Sequence, residues 1–512
     1  MDRRHFLSQL SGLPLTLGLA AGLGAGLNTR LSRAEPSQWQ TRFEAALAEN
    51  PWLLGYHSVA QSRYEERELH IEGNLPPDLK GQFFRNGPAQ HEVGNMRFGH
   101  WFDGYGMVHA YRFTGEAITH RARMVETQRY QQERQANRQL YDSFGTHLAD
   151  GIGFTAPDDI NSSNINIIRQ GEELLALWDG GSAHRIDPES LDTLGLKTWS
   201  EDMAGLPFSA HPRLDSDGTL WGFGCASTLN VLVLYQISPS GSLVNRGVIS
   251  TPAGNMVHDF MITERDIVFY LAPFIFEKTE PPRSYLEHHR WRPEEGGRIL
   301  LIDKNDFSNV RQIETPPFWI FHFSNAYEEA SGQIRFQAPL YETPEFMTET
   351  LPSLMRGEVK DSPPPIYSEL VIDPARGRVD VEPLLTEVSS EFPRINEQFT
   401  AKRNRYSYVL SGDRDGVHRG FNQLQRIDAQ SDRVTSYRFD DSEMAEEHVF
   451  IPRPGARNEA EGWLLGTTLD LAAEKTLLNL FDAEAIDAGP VARARLDYRI
   501  PLGFHGNFYP ET

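Results

Sequence analysis

The sequence predicts an all-β protein whose strands form a ring or radial array. Two observations carry this. Short stretches of alternating apolar and polar residues, bounded by glycine, proline, asparagine or aspartate, recur from about residue 70 onward. The 512-residue chain also holds 42 glycines and 32 prolines, and no long helical periodicity follows about residue 60. Many short strands at even spacing suit a propeller, which manages its sheet edges by repetition around an axis.

The elements follow in order. Ser37 is placed to cap a helix running through Phe43–Leu47, which Asn50-Pro51 ends. Ile71 opens a strand, Gln82–Arg85 makes a second, and Arg85-Asn86-Gly87-Pro88-Ala89 reads as a turn. Met107–Phe113 alternates as a strand, and so does Glu173–Trp178. Pro212–Leu214 and Thr219–Phe223 flank Asp215-Ser216-Asp217-Gly218 as a hairpin, and Val231–Ile237 pairs similarly with Leu243–Val248. Arg298–Ile302, Arg405–Leu410, Leu424–Ile427, Val434–Phe439, Trp463–Thr467 and Leu477–Phe481 continue the series. Helical turns fit best in 123–140 and 339–360. No linker or low-complexity segment divides residues 35–512, which read as one domain.

Residues 1–34 read as a separate leader. Arg3-Arg4-His5-Phe6-Leu7 precedes an apolar run to about Leu27, and Leu31-Ser32-Arg33-Ala34 offers a cleavage site after Ala34. This pattern predicts Tat-type export to the periplasm. The net charge of −22 argues against a nucleic-acid partner. With Cys225 as its single cysteine, the chain cannot form an intramolecular disulfide.

The chemistry lies in the histidines. His258 sits inside Asn255-Met256-Val257-His258-Asp259-Phe260-Met261, where a buried imidazole needs a partner. His211, His322 and His505 stand in similar frames. Four imidazoles without cysteine suit a first-row ion with open positions, iron(II) and oxygen chemistry above all, although ligand type also admits copper and nickel. Each ligand needs its second nitrogen held, and carboxylates in apolar frames, Glu391 and the pair Glu446-Glu447, are candidates.

These stretches, with Gly81-Gln82-Phe83-Phe84-Arg85-Asn86-Gly87-Pro88, His100-Trp101-Phe102-Asp103-Gly104, Leu175-Ala176-Leu177-Trp178-Asp179-Gly180-Gly181, Ser209-Ala210-His211-Pro212, Glu391-Phe392-Pro393-Arg394-Ile395-Asn396 and Phe504-His505-Gly506, resemble the carotenoid cleavage oxygenases along nearly all of residues 35–512. The resemblance implies a seven-bladed β-propeller with a cap of loops and short helices over the metal face. It implies one ferrous ion per chain on His211, His258, His322 and His505, with Asp179, Glu391 and Glu447 behind three of them. Dioxygen would be co-substrate, and the reaction would split a C=C bond of a carotenoid or apocarotenoid into two carbonyls. Stilbene cleavage, isomerisation and non-catalytic pigment binding are the alternatives.

Ile165, Phe323 and Phe504 are expected to touch substrate, with Phe321 and Trp319 beside them. Pro273–Phe276 and Phe346–Met355 are expected at an apolar entrance, with peripheral membrane contact for uptake. Three residues depart from the family pattern. Asp179 stands where glutamate is usual, so its shorter reach calls for a water or a shifted strand. Ile165 stands where many members have threonine, and Tyr105 where aspartate is common.

Overall fold

The structure, a computed structural model, describes residues 36–281 and 283–511; the export leader expected over 1–34 lies outside the described residues. Seven antiparallel sheets surround one axis as a seven-bladed β-propeller. Five blades each contain four antiparallel meander strands with the first innermost, as in blade 3: Met261–Ile262, Asp266–Leu271, Gly297–Asp303 and Asp306–Thr315. Blades 1, 2 and 4 begin with Asn166–Gln170, Arg213–Leu214 and Ala326–Glu328, and blade 1 runs outward through Glu173–Leu177 and His184–Ile186 to the short Thr193–Leu196. Blade 5 begins with Ser389–Arg394 and blade 6 with Glu443–Pro452.

Burial explains the differing sequence patterns along a blade. The second strand of blade 3, Asp266–Leu271, is buried at every position and reads as a continuous apolar run from Ile267 onward. The outermost strand, Asp306–Thr315, is mostly exposed and correspondingly polar. Cores lie between neighbouring blades. Phe223 and Leu232 of blade 2 join Phe260 and Phe269 of blade 3, while Tyr408 and Leu410 of blade 5 join Leu464 and Phe481 of blade 6.

The ring closes twice. His70–Gly73 adds to the outside of blade 6, and the C-terminal strand Gly506–Pro510 forms the inside of blade 7, whose other strands come from the N-terminal part of the chain. Between these blades a buried ion pair links Arg85 to Glu446 at 2.7 Å.

Here the turn expected at Arg85–Ala89 is corrected. The segment lies within one strand, Lys80–Gln90, paired with Tyr105–Thr114. Gly87 is there for close approach: a Cβ on it would lie 2.3 Å from the Cα of Gly503. The proline at 88 sits next to a register shift between Pro88 and Gln90.

Helices occupy the places the sequence left for them. The first spans Pro36–Leu47, so Ser37 falls in its first turn instead of capping it. A second spans Gln128–Ala136, and a π turn at Phe346–Thr350 runs into a short helix at Leu351–Met355. Buried Arg97 ties the cap together, donating to the carbonyls of Tyr56 and Met355 with its guanidinium 3.4 Å from the Phe43 ring. Tyr105 finds its explanation here, since its hydroxyl donates to Glu133 at 2.5 Å on the second helix.

Removing one member of the Arg85–Glu446 pair leaves a buried charge uncompensated. Arg85→Ala is expected to lower unfolding free energy by about 3–5 kcal/mol, with partial recovery in Arg85→Ala/Glu446→Ala. Denaturant unfolding of the two variants checks this.

Candidate metal centre

The ring of inner strands delivers the site. His211, His258 and His322 lie just ahead of the inner strands of blades 2, 3 and 4, and His505 immediately precedes that of blade 7. Glu391 and Glu447 lie within the inner strands of blades 5 and 6, and Ile165 immediately precedes that of blade 1. Seven blades thus present seven residues toward one axis.

Both glutamates sit at register shifts, between Glu391 and Arg394 in blade 5 and between Ala445 and His448 in blade 6. A bulge re-aims a side chain out of strict alternation. In blade 6 it separates the duties of two adjacent residues: Glu446 bonds Arg85, and Glu447 turns to His505.

The imidazoles converge. One nitrogen from each of His211, His258 and His322 lies within 4.8 Å of the other two. The His505 ring centre is 4.6 Å from that of His211 and 4.8 Å from that of His322. Nδ1–H of His258 donates to Asp179 at 2.5 Å, that of His322 to Glu391 at 2.6 Å, and that of His505 to Glu447 at 2.9 Å. This fixes the tautomers, leaving each Nε2 lone pair to face the centre.

The residues fit a cation. Nε2 of His211 and His258 face each other at 3.0 Å, and buried Nε2 of His322 has no hydrogen-bond partner. Lone pairs aimed at one another are satisfied by a metal ion between them, and an all-imidazole set suits a first-row ion.

The carboxylates are held as firmly as the rings. Asp179 reaches His258 directly, so neither a water nor a shifted strand is needed; it also accepts from Ala210 N–H at 2.9 Å and the Ser209 hydroxyl at 3.2 Å. Glu391 accepts from the Tyr341 hydroxyl at 3.2 Å, and Arg394 donates to both oxygens of Glu447 at 2.8 and 2.9 Å. The sequence offered no signal for Tyr341, and Arg394 appeared only as part of a motif.

Burial, then the surrounding imidazoles, push His211 well below the ordinary histidine range. Burial pulls His505 down to about 4 despite Glu447. Burial also works against His258, but Asp179 overrides it and raises this ring. Burial opposes ionisation of Glu447, yet Arg394 and His505 hold it below the carboxylate range.

Aromatic rings roof the site. Phe321 lies 5.9 Å from the His258 ring, Phe102 sits 6.3 Å from Phe321 and 5.4 Å from Phe504, and Trp101 packs 4.5 Å from Phe504. Ile165 belongs to the same apolar cluster as Trp101 and Phe504. Phe323 does not join this group; its ring packs on Phe336 at 5.7 Å and its N–H donates to Asp259. Adjacent to His322 in sequence, it points another way. Trp319 stands behind Phe321, edge-on at 5.4 Å. The segments expected at an entrance are largely interior: Phe274, Ile275, Met347, Leu351, Leu354 and Met355 are buried.

The family described as Retinal pigment epithelial membrane protein matches residues 56–510. The chain belongs to this family. Among its relatives, apocarotenoid-15,15'-oxygenase of Synechocystis sp. is 31% identical over 478 residues, covering 89% of this chain and 96% of the relative. Resveratrol cleavage oxygenase 1 of Aspergillus fumigatus is 26% identical, covering 92% and 97%. The crystal structure of cobalt-substituted Synechocystis ACO superposes with a TM-score of 0.81 at 29% identity, covering 90% of this chain and 98% of that one.

Metal ligands lose affinity when the carboxylate behind them is neutralised. Asp179→Asn and Glu391→Gln are each expected to weaken metal binding about 10–100-fold. Competition with a chelator of known affinity measures this, and wild-type affinity in both variants would remove the carboxylates from the account.

Proposed function

We propose that this protein is a non-haem iron(II) dioxygenase that cleaves a C=C double bond of a carotenoid or apocarotenoid. The observation that carries the reading is a set of histidines with carboxylate-fixed tautomers and inward lone pairs beneath an aromatic roof. Its similarity to an apocarotenoid oxygenase over 89% of the chain supports the substrate class.

His211, His258, His322 and His505 would hold one ferrous ion per chain. When bound, iron supplies the activation of dioxygen. The chain's part is to bind, orient and exclude. The three carboxylates keep Nδ1 of His258, His322 and His505 protonated. Trp101, Phe102, Phe321 and Phe504 form an apolar wall for a flat conjugated substrate and keep bulk water out. Ile165 adds a branched apolar side chain to that wall. One molecule of dioxygen and one C=C bond give two carbonyl groups, so no reductant and no side-chain acid or base is consumed.

A polyene must leave a membrane or carrier. In the cap, Gly151–Thr155 is exposed and carries Ile152 and Phe154, 46% and 43% accessible, which supports peripheral contact with a lipid surface. No helix among the described residues is long and apolar enough to cross a membrane. With the twin-arginine leader, the proposed location is the periplasm.

A second reading, stilbene cleavage, is favoured by the likeness to a resveratrol cleavage oxygenase. Incubating the iron-loaded protein under oxygen with an apocarotenal and, separately, a hydroxystilbene decides between them. The expected result is two carbonyl products from the apocarotenal. Aldehydes from the stilbene alone would move the assignment, and isomers without aldehydes would overturn the dioxygenase.

A further inference from the structure

The inner strand of blade 5 presents two consecutive side chains to the site. The register shift between Glu391 and Arg394 contains Phe392, whose φ is 52°. Bulky residues seldom adopt positive φ, whereas glycine does so without steric cost. A side chain held in such a conformation points to a role that outweighs the local strain.

The contacts indicate that role. Glu391 accepts from Nδ1–H of His322 and from the N–H of Phe392 at 2.6 Å, so the bulge locks the carboxylate. The Phe392 ring stacks on His322 at 5.1 Å and 28°, and its centre is 5.5 Å from that of His505. Two residues on, Arg394 grips Glu447, the carboxylate behind His505. One short segment therefore acts on both imidazoles, through their second nitrogens and across their faces.

Phe392 also borders a polar chamber of about 190 Å3 on the propeller axis. His211, His322 and His505 line it, together with Arg213, Asn507 and Phe323. A polar cavity of this size accommodates several waters. The Phe392 ring stacks on the face of His322 and borders the chamber that His322 and His505 also line.

We propose that Phe392 is a positioning residue of the metal centre: its ring fixes the planes of His322 and His505 relative to each other and keeps chamber water from reaching the bound ion on that side. The proposal rests on the four-histidine reading above. Arg394 anchors the far end of the same bulge. Loss of the ring frees both imidazoles to rotate and opens a path for a solvent ligand, because the apolar shell around a metal controls solvent access.

Cobalt(II) titration of metal-free protein under nitrogen tests this without turnover, since the d–d absorption reports coordination number and geometry. Phe392→Gly removes the ring and relieves the backbone. It is expected to weaken cobalt binding by about ten-fold and to lower the d–d intensity as a solvent ligand enters. Its metal-free melting midpoint should stay within a few degrees of wild type. Phe392→Leu keeps bulk but loses the planar face, and should show the same spectral change with a smaller loss of affinity. Wild-type affinity and spectrum in both variants would overturn the proposal. So would a melting loss in Phe392→Gly alongside a wild-type spectrum in Phe392→Leu, which marks a packing residue only. A wild-type protein that binds no cobalt is a separate failure, that of the four-histidine reading itself.

Discussion

The site depends on three hydrogen bonds, each from a histidine Nδ1–H to a carboxylate: His258 to Asp179, His322 to Glu391 and His505 to Glu447. A buried carboxylate carries a desolvation penalty of several kcal/mol unless it is paired and hydrogen-bonded. Here each is satisfied more than once. Asp179 takes a backbone N–H and a hydroxyl, Glu391 a phenol and a backbone N–H, and Glu447 a guanidinium. The outcome is a set of imidazoles with one tautomer each and lone pairs directed inward. His211 has no such carboxylate bond among those described, and burial with neighbouring rings keeps it neutral.

The fold serves this arrangement through its symmetry. Each inner strand brings one residue to the axis, so ligands and their carboxylates come from different blades and are held by the whole ring. His505 makes the dependence plain. It reaches the axis because Gly506–Pro510 pairs with Lys80–Gln90, and its carboxylate comes from blade 6. The same interface between blades 6 and 7 carries the Arg85–Glu446 pair. Closing the ring and completing the site are one structural event.

Much of this was legible in the sequence because its signals are local. A histidine in an apolar strand frame is conspicuous, and so is an even succession of short strands. Glu391 and the pair Glu446-Glu447 were legible as carboxylates in apolar frames and Asp179 only through the family resemblance, while which carboxylate serves which histidine depends on which blades neighbour which. Other features required three dimensions. Gly87-Pro88 carries the same letters whether it makes a turn or a strand that touches Gly503, and the second holds. Phe323, beside His322 in sequence, packs its ring on Phe336 and lines the chamber below the histidines instead of the aromatic roof. Asp179 looked too short, yet its carboxylate reaches Nδ1 of His258 directly at 2.5 Å. Nothing in Glu391-Phe392-Pro393-Arg394 announces a bulge with a phenylalanine at positive φ.

The central claim is that four imidazoles from four blades bind one ion, with the carboxylates behind them and not on it. X-ray absorption at the iron edge of anaerobically reconstituted protein tests it most directly. The account predicts one iron per chain with multiple-scattering features of four imidazoles. A fit requiring two or fewer imidazoles, or direct carboxylate ligation in their place, would contradict it.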